Sequence, residues 1–221
     1  MAAIPAWGAF IQSSSFLSAA TTTGGTLALA QTLFPGNTYV MFVTYTGAAQ
    51  VLTIKDSLQN IWKAVGPAIS NGTSVTQWFY STAVNAGVDV LQFSVPVTRT
   101  NFLVWVGEYM GESRFESQVG ATASSTGPAT VSITPQQSNE LVVCGFVSVA
   151  AQLNVLSAAT SRFLSGTTYS VADQGSTLAG NGAAISPSYT LSLTSVWSAH
   201  AATFVMNPNT TGGVYGGGLT I

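Results

Sequence analysis

Residues 88–95, VDVLQFSV, set Val88, Val90 and Gln92 on one side of an extended chain and Asp89, Leu91 and Phe93 on the other. An apolar period of two is that of a half-buried strand; a helix would repeat every 3.6 residues. Just downstream, residues 102–109, FLVWVGEY, are apolar on both sides for most of their length, as a strand covered on both faces would be. Upstream, residues 38–46, TYVMFVTYT, are rich in Val, Tyr, Phe and Thr and open after the turn residues Pro35, Gly36 and Asn37. Residues 74–82, SVTQWFYST, follow Asn71-Gly72 in the same way, and residues 51–55 follow Gly47. Further strands are expected at 130–134, 140–148, 188–194 and 199–206. The only helix-like spacing is Glu108, Glu112 and Glu116, and Gly107 and Gly111 interrupt it. Many short strands between turns, with no repeat of fixed period, predict an all-β fold: an antiparallel β-sandwich, jelly-roll-like. Val104, Val106, Val142, Phe146 and Phe204 are expected in its core.

Composition narrows the function. The chain has 221 residues, with five Lys/Arg, seven Asp/Glu and a net charge of −2. Its 5% charged fraction lies far below the roughly 25% of ordinary soluble domains. With 47% hydrophobic residues the chain can build a core, so it is not disordered. Five scattered cations cannot neutralise a phosphate track, which argues against a nucleic-acid partner. One His and one Cys exclude a structural zinc site and a disulfide within the chain. The longest apolar stretch, residues 141–153, is shorter than the roughly 20 residues of a spanning helix. Strand spacing is too irregular for a porin-like barrel, so no membrane partner is expected. MAAIPAWGAF has no Lys or Arg ahead of its apolar residues and does not read as a signal peptide. Residues 13–25 contain only Ser, Thr, Ala and Gly apart from Phe16 and Leu17, and residues 207–221 are uncharged and glycine-rich. The expected organisation is therefore an N-terminal arm over 1–25, a β-sandwich domain over 26–206 and a C-terminal tail over 207–221.

Each chemically capable residue has a structural reading beside its functional one. His200 is the only histidine and would have to serve any His-dependent acid–base step, but TSVWSAHAATFVM reads as a sheet strand with a hydrogen-bonded imidazole. Ser195, Ser198 and Cys144 are imaginable partners, yet no nucleophile elbow marks them. Cys144, within LVVCGFV, reads as a small buried hydrophobe. Glu108 ends an apolar strand and would suit a glycosidase carboxylate; the structural reading pairs it with Arg99 or Arg114. Asp56-Ser57-Leu58-Gln59-Asn60 offers oxygen ligands for calcium but lacks further acids, and reads as an Asx-type turn. Of five tryptophans, Trp78, Trp105 and Trp197 fall in strands, whereas Trp7 and Trp62 lie near loops where a glycan could stack. The expectation is of no catalytic residue, no cofactor and no metal: a protein that is not an enzyme.

The segments DSLQNIWKAV (56–65), WFYSTAVNAGVDVLQFSV (78–95) and VWVGEYMG (104–111) resemble a β-sandwich domain of phage virion proteins and bacterial surface proteins. The pattern is roughly D-S-x-x-N-x-W, W-Y near N-A, a G-x-x-x-L/V strand and a V-x-E-Y-x-G strand end. The later ELVVCGFVS strand and the closing strand match it too. The resemblance covers residues 40–206, and Gln59 stands where the family commonly has glycine. It implies a jelly-roll-like sandwich that displays, binds or cements. On that basis a capsid cement or decoration protein is expected, made in the host cytoplasm and located in the virion. Its partners would be itself, as a homo-oligomer, and a major capsid or other virion protein. A tail component and a non-catalytic carbohydrate- or surface-binding module are the alternatives.

Overall fold

The computed structural model describes residues 8–137, 139–151, 153–165, 168–174 and 182–207. All regular structure among them is β, and every strand pair is antiparallel. One central sheet runs β1 (Phe10–Ser18), β7 (Val90–Tyr109), β3 (Thr38–Thr46), β6 (Ser74–Thr82) and β5 (Lys63–Ser70). The other runs β12 (Thr160–Ser165), β13 (Tyr169–Asp173), β10 (Glu140–Ser148), β15 (Ser195–Asn207) and β8 (Glu112–Ser125). Each central sheet is covered on its far side. The first half of β7 pairs with β2 (Thr22–Ala28) and β4 (Thr53–Asp56) over one of them. A small sheet of β11 (Leu153–Ser157), β14 (Ser188–Leu191) and β9 (Ala129–Thr130) lies over the other.

The result is a sandwich of four layers with three apolar fillings, and strand alternation sorts the side chains among them. In β3, Tyr39, Met41 and Val43 point to the first filling with Leu91, Phe93 and Val104, while Val40 and Phe42 point to the middle one. In β10, Leu141 and Val143 face the middle filling, and Val142, Cys144 and Phe146 face the third, with Leu153 and Tyr189. Val104, Val106, Val142, Phe146 and Phe204 are all fully buried, as expected. The doubly apolar reading of residues 102–109 has the same cause: that stretch separates two fillings. Gly145 lets the central sheets approach closely, since a Cβ there would collide with the Phe42 ring.

Three expectations are corrected. Residues 13–25, expected as part of a flexible arm, lie mostly in β1 and β2, which pair with the two halves of β7. Backbone hydrogen bonds to a well-anchored neighbour hold a Ser/Thr/Gly sequence that has no apolar stripe of its own. Residues 88–95 and 102–109, expected as two strands, are joined in β7, which passes from the outer layer into the central sheet past Pro96 and Asn101. Of the strands expected at 130–134 and 188–194, only Ala129–Thr130 (β9) and Ser188–Leu191 (β14) form, while Glu112 and Glu116 lie in β8, in keeping with the absence of a helix. Asn207 ends β15; the rest of the expected tail lies outside the described residues, as does Trp7.

Candidate functional site

The turn after β4 explains the D-S-x-x-N-x-W pattern. Asp56 Oδ1 accepts from the Leu58 amide at 2.8 Å, which makes the expected Asx turn, and Asp56 Oδ2 accepts from Trp62 Nε1 at 2.9 Å. Asn60 Oδ1 accepts from the Val84 and Asn85 amides, at 2.9 and 3.3 Å, tying this turn to the β6–β7 loop. Ser57 Oγ donates to Asp89 Oδ1 at 2.8 Å. The half-buried Trp62 packs against the first filling and, through its bond to Asp56, braces this turn. Gln59 sits at φ +62°, a left-handed conformation that favours glycine.

Glu108 is the hub of the V-x-E-Y-x-G end of β7. Fully buried, its carboxylate accepts from Gln12 Nε2 at 2.6 Å, Asn37 Nδ2 at 2.7 Å and the Tyr39 hydroxyl at 2.8 Å. The expected pairing with Arg99 or Arg114 is therefore wrong. Arg99 donates to the Ala48 and Thr98 carbonyls, and Arg114 pairs with Glu116 at 3.2 Å. Neutral donors from β1, β3 and the β2–β3 loop satisfy Glu108 instead, binding three segments together. Burial, then the neighbouring Glu108 charge, pushes the Tyr39 hydroxyl well above its usual pKa, so it stays a donor.

A second node joins the two central sheets. The Tyr109 hydroxyl donates to Asp173 Oδ2 at 3.0 Å, and Arg162 Nε pairs with the same oxygen at 2.7 Å. The Arg162 guanidinium also lies 4.4 Å from the Phe10 ring centroid. Burial pushes the Cys144 thiol above its usual range, which keeps it protonated and inert. His200 is fully buried. Its Nε2 lies 2.6 Å from Gln118 Oε1, and an amide oxygen only accepts, so Nε2 carries the proton. Nδ1 has no hydrogen-bond partner. Burial lowers the imidazole pKa to about 4, against a weaker pull from the Thr76 backbone, so His200 is neutral at pH 7. Its carbonyl accepts from Trp78 Nε1 at 2.9 Å across the middle filling. Among the described residues no group of three or more His, Cys, Asp and Glu could hold a metal ion.

The structure adds a feature that sequence reading missed. A cleft of about 490 Å³ opens where the edges of the two central sheets diverge, beyond the start of β5 and β8. Lys63, Tyr80, Ser81 and Ser113 lie in it, with Arg114 beside them and Ile61 and Val84 also lining it. The Lys63 ammonium is 5.9 Å from the Tyr80 ring centroid. Lys63, Tyr80 and Arg114 are too far apart in sequence to form a motif, and only the meeting of two sheet edges assembles them. Comparison with protein family models, with curated proteins and with solved structures finds no match to this chain.

Proposed function

We propose that this chain is a structural protein of a phage virion, a capsid cement or decoration protein that attaches through its β-sandwich. One observation carries the reading most of the way: the residues that give the sequence its family resemblance are struts. Asp56, Asn60 and Trp62 knit two loops, Glu108 fastens three segments, and Tyr109 locks one central sheet to the other. Carboxylates used this way serve rigidity, which a particle-bound subunit needs.

The surface is consistent with assembly. Val84 and Val88 are 73% and 62% exposed on the β6–β7 loop, and Phe34 lies on the neighbouring β2–β3 loop, where Leu33 bridges Gly87. Exposed aliphatic groups on one loop end, on a surface with few charges, can be buried in a particle with little desolvation cost. The jelly-roll-like winding and a closed homo-oligomer belong to the same proposal.

Sedimentation of the purified chain, alone and with undecorated capsids, tests it. Co-sedimentation at a fixed stoichiometry is the expected result, and Val84→Asp with Val88→Asp should weaken it with the fold unchanged. A chain that stays in the supernatant, and instead turns over a glycan in a way abolished by Glu108→Gln, overturns the reading in favour of an enzyme.

A further inference from the structure

One central sheet ends in β8 with an open edge: among the described residues, no strand pairs with β8 on the side away from β15. From Ser117 to Ser125 that strand runs nine residues without a bulge, and it contains no charge and no proline. An edge of this kind is a template for a further strand, and proteins ordinarily blunt it. Two other ends of the central sheets are blunted. β5 breaks its register between Val65 and Ile69, with Gly66 and Pro67 at the break, and β12 breaks between Ser161 and Phe163. Apolar groups also reach the surface along β8. Val119 and Ala121 are only partly buried against the third filling, while Gln118 and Gly120 alternate toward the middle one. Gly120 lets β5 approach closely, since a Cβ there would collide with the Ile69 side chain.

We propose that this edge pairs with the same edge of a second copy, antiparallel about a two-fold axis, so that one central sheet continues through two chains. A strand added here must present small uncharged side chains on both faces, and β8 is itself such a strand. Alternation restricts the register: odd residues must meet odd ones if the third-filling faces of both copies are to lie on the same side. Among such registers, the one centred on Ala121 pairs the whole of Ser117–Ser125 with itself. It sets Val119 opposite Ala123 and Gln118 opposite Ser124, and it leaves Glu112, Arg114 and Glu116 outside, so no like charges meet. The contact is large enough. Nine residues at about 3.3 Å make an edge about 30 Å long, and β5, β8 and β9, stacked about 10 Å apart, make a wall about 20 Å high. Two such walls bury about 1,200 Å², the lower end of specific interfaces. The inference rests on the homo-oligomeric part of the function proposed above and assigns its contact, which uses neither Val84 nor Val88.

Analytical ultracentrifugation of the full chain without capsids tests this, and a dimer is expected at about 50 μM. Thr122→Lys with Ser124→Lys, both at exposed positions, gathers four ammonium groups on one face of the joined sheet. It should weaken association at least about tenfold, with an unchanged circular dichroism spectrum. Ser15→Lys on β1, the remaining unblunted end, should leave association as it was. Cysteines report the register. Ala121→Cys should form an interchain disulfide on mild oxidation, because directly opposed residues stand about 4.5–5.5 Å apart at Cα. Ser124→Cys, opposite Gln118, should cross-link far less, and the buried Cys144 does not compete. A monomer at about 500 μM, a dimer indifferent to the paired lysines, or cross-linking at residue 124 in place of 121 would overturn the assignment. In a monomer, slow amide exchange along the open edge of β8 would mark a segment of the same chain as its occupant. Capsid co-sedimentation of the lysine variant, run in parallel, separates the two readings: attachment without self-association, or the reverse, shows which of them has failed.

Discussion

Acid should unfasten this protein through one imidazole. His200 lies between sheets with its pKa lowered to about 4, whereas an unfolded histidine titrates near 6.5. The unfolded chain therefore takes up a proton that the folded chain refuses. Above pH 6.5 neither state is protonated and the contribution to stability is full. Below it, stability falls by up to about 1.4 kcal/mol per pH unit, levelling off once the pH passes the folded pKa. From pH 7 to pH 5 the loss comes to about 2 kcal/mol, and to about 3 kcal/mol by the plateau. Other groups titrate in the same range. Burial raises the Asp89 carboxyl, more than the Ser57 hydrogen bond lowers it, so acid favours the fold at that site. Asp89 lies by the β4 turn, far from His200 in the layering, so its contribution cancels when wild type is compared with His200→Gln. Urea denaturation of both proteins at pH 7, 6 and 5 is the assay. The stability difference should shift by about 2 kcal/mol against wild type on acidification. A shift below about 0.5 kcal/mol would refute the burial of a neutral imidazole at this position.

Four substitutions probe other links. Gly145→Ala forces a methyl group into the Phe42 ring and should cost about 1–3 kcal/mol in denaturant titration, more than Ala costs at an exposed strand position. Phe146→Ala empties part of the third filling and should cost about 3–5 kcal/mol; a loss under about 0.5 kcal/mol would mean β10 does not face it. Asp173→Ala strands Arg162 and the Tyr109 hydroxyl at the sheet junction and should cost about 3–5 kcal/mol by the same measurement. Gln59→Gly relieves a left-handed residue in the β4–β5 turn and should raise stability by about 0.5–1 kcal/mol, visible as a higher melting temperature.

What could be read from the sequence was whatever a strand declares by itself. Residues 38–46, 74–82 and 140–148 match β3, β6 and β10 end to end, because turn residues bound them and their apolar groups are their own. β1, β2 and β8 were missed because Ser, Thr, Gly and Ala carry no stripe; their partners make them strands. The β7 continuity was missed because Pro96 and Asn101 look like breaks. In the fold they mark where the strand changes partners, and Asn101 takes φ +51° to do so. The burial of Glu108, His200 and Cys144 was legible from their apolar surroundings. The partners of Glu108 were not, because Gln12, Asn37 and Tyr39 carry no charge to suggest them. The cleft of Lys63, Tyr80 and Arg114 exists only in three dimensions.

The two outer layers are attached in different ways, and this has a consequence for amide hydrogen exchange. On one side, β7 is at once the middle strand of the outer layer and a member of the central sheet. Neither layer can open without disturbing the same backbone, so amides of β2 and β4 that bond β7 should exchange with nearly the slowness of β3. On the other side, β9, β11 and β14 share no strand with the sheet they cover and rest on it through side chains such as Leu153 and Tyr189. That layer can lift as a unit while β10 and β15 remain paired, and its amides should exchange earlier, by sub-global opening. A molecule that looks symmetric in its layering is therefore asymmetric in its breathing, with one face welded and the other latched.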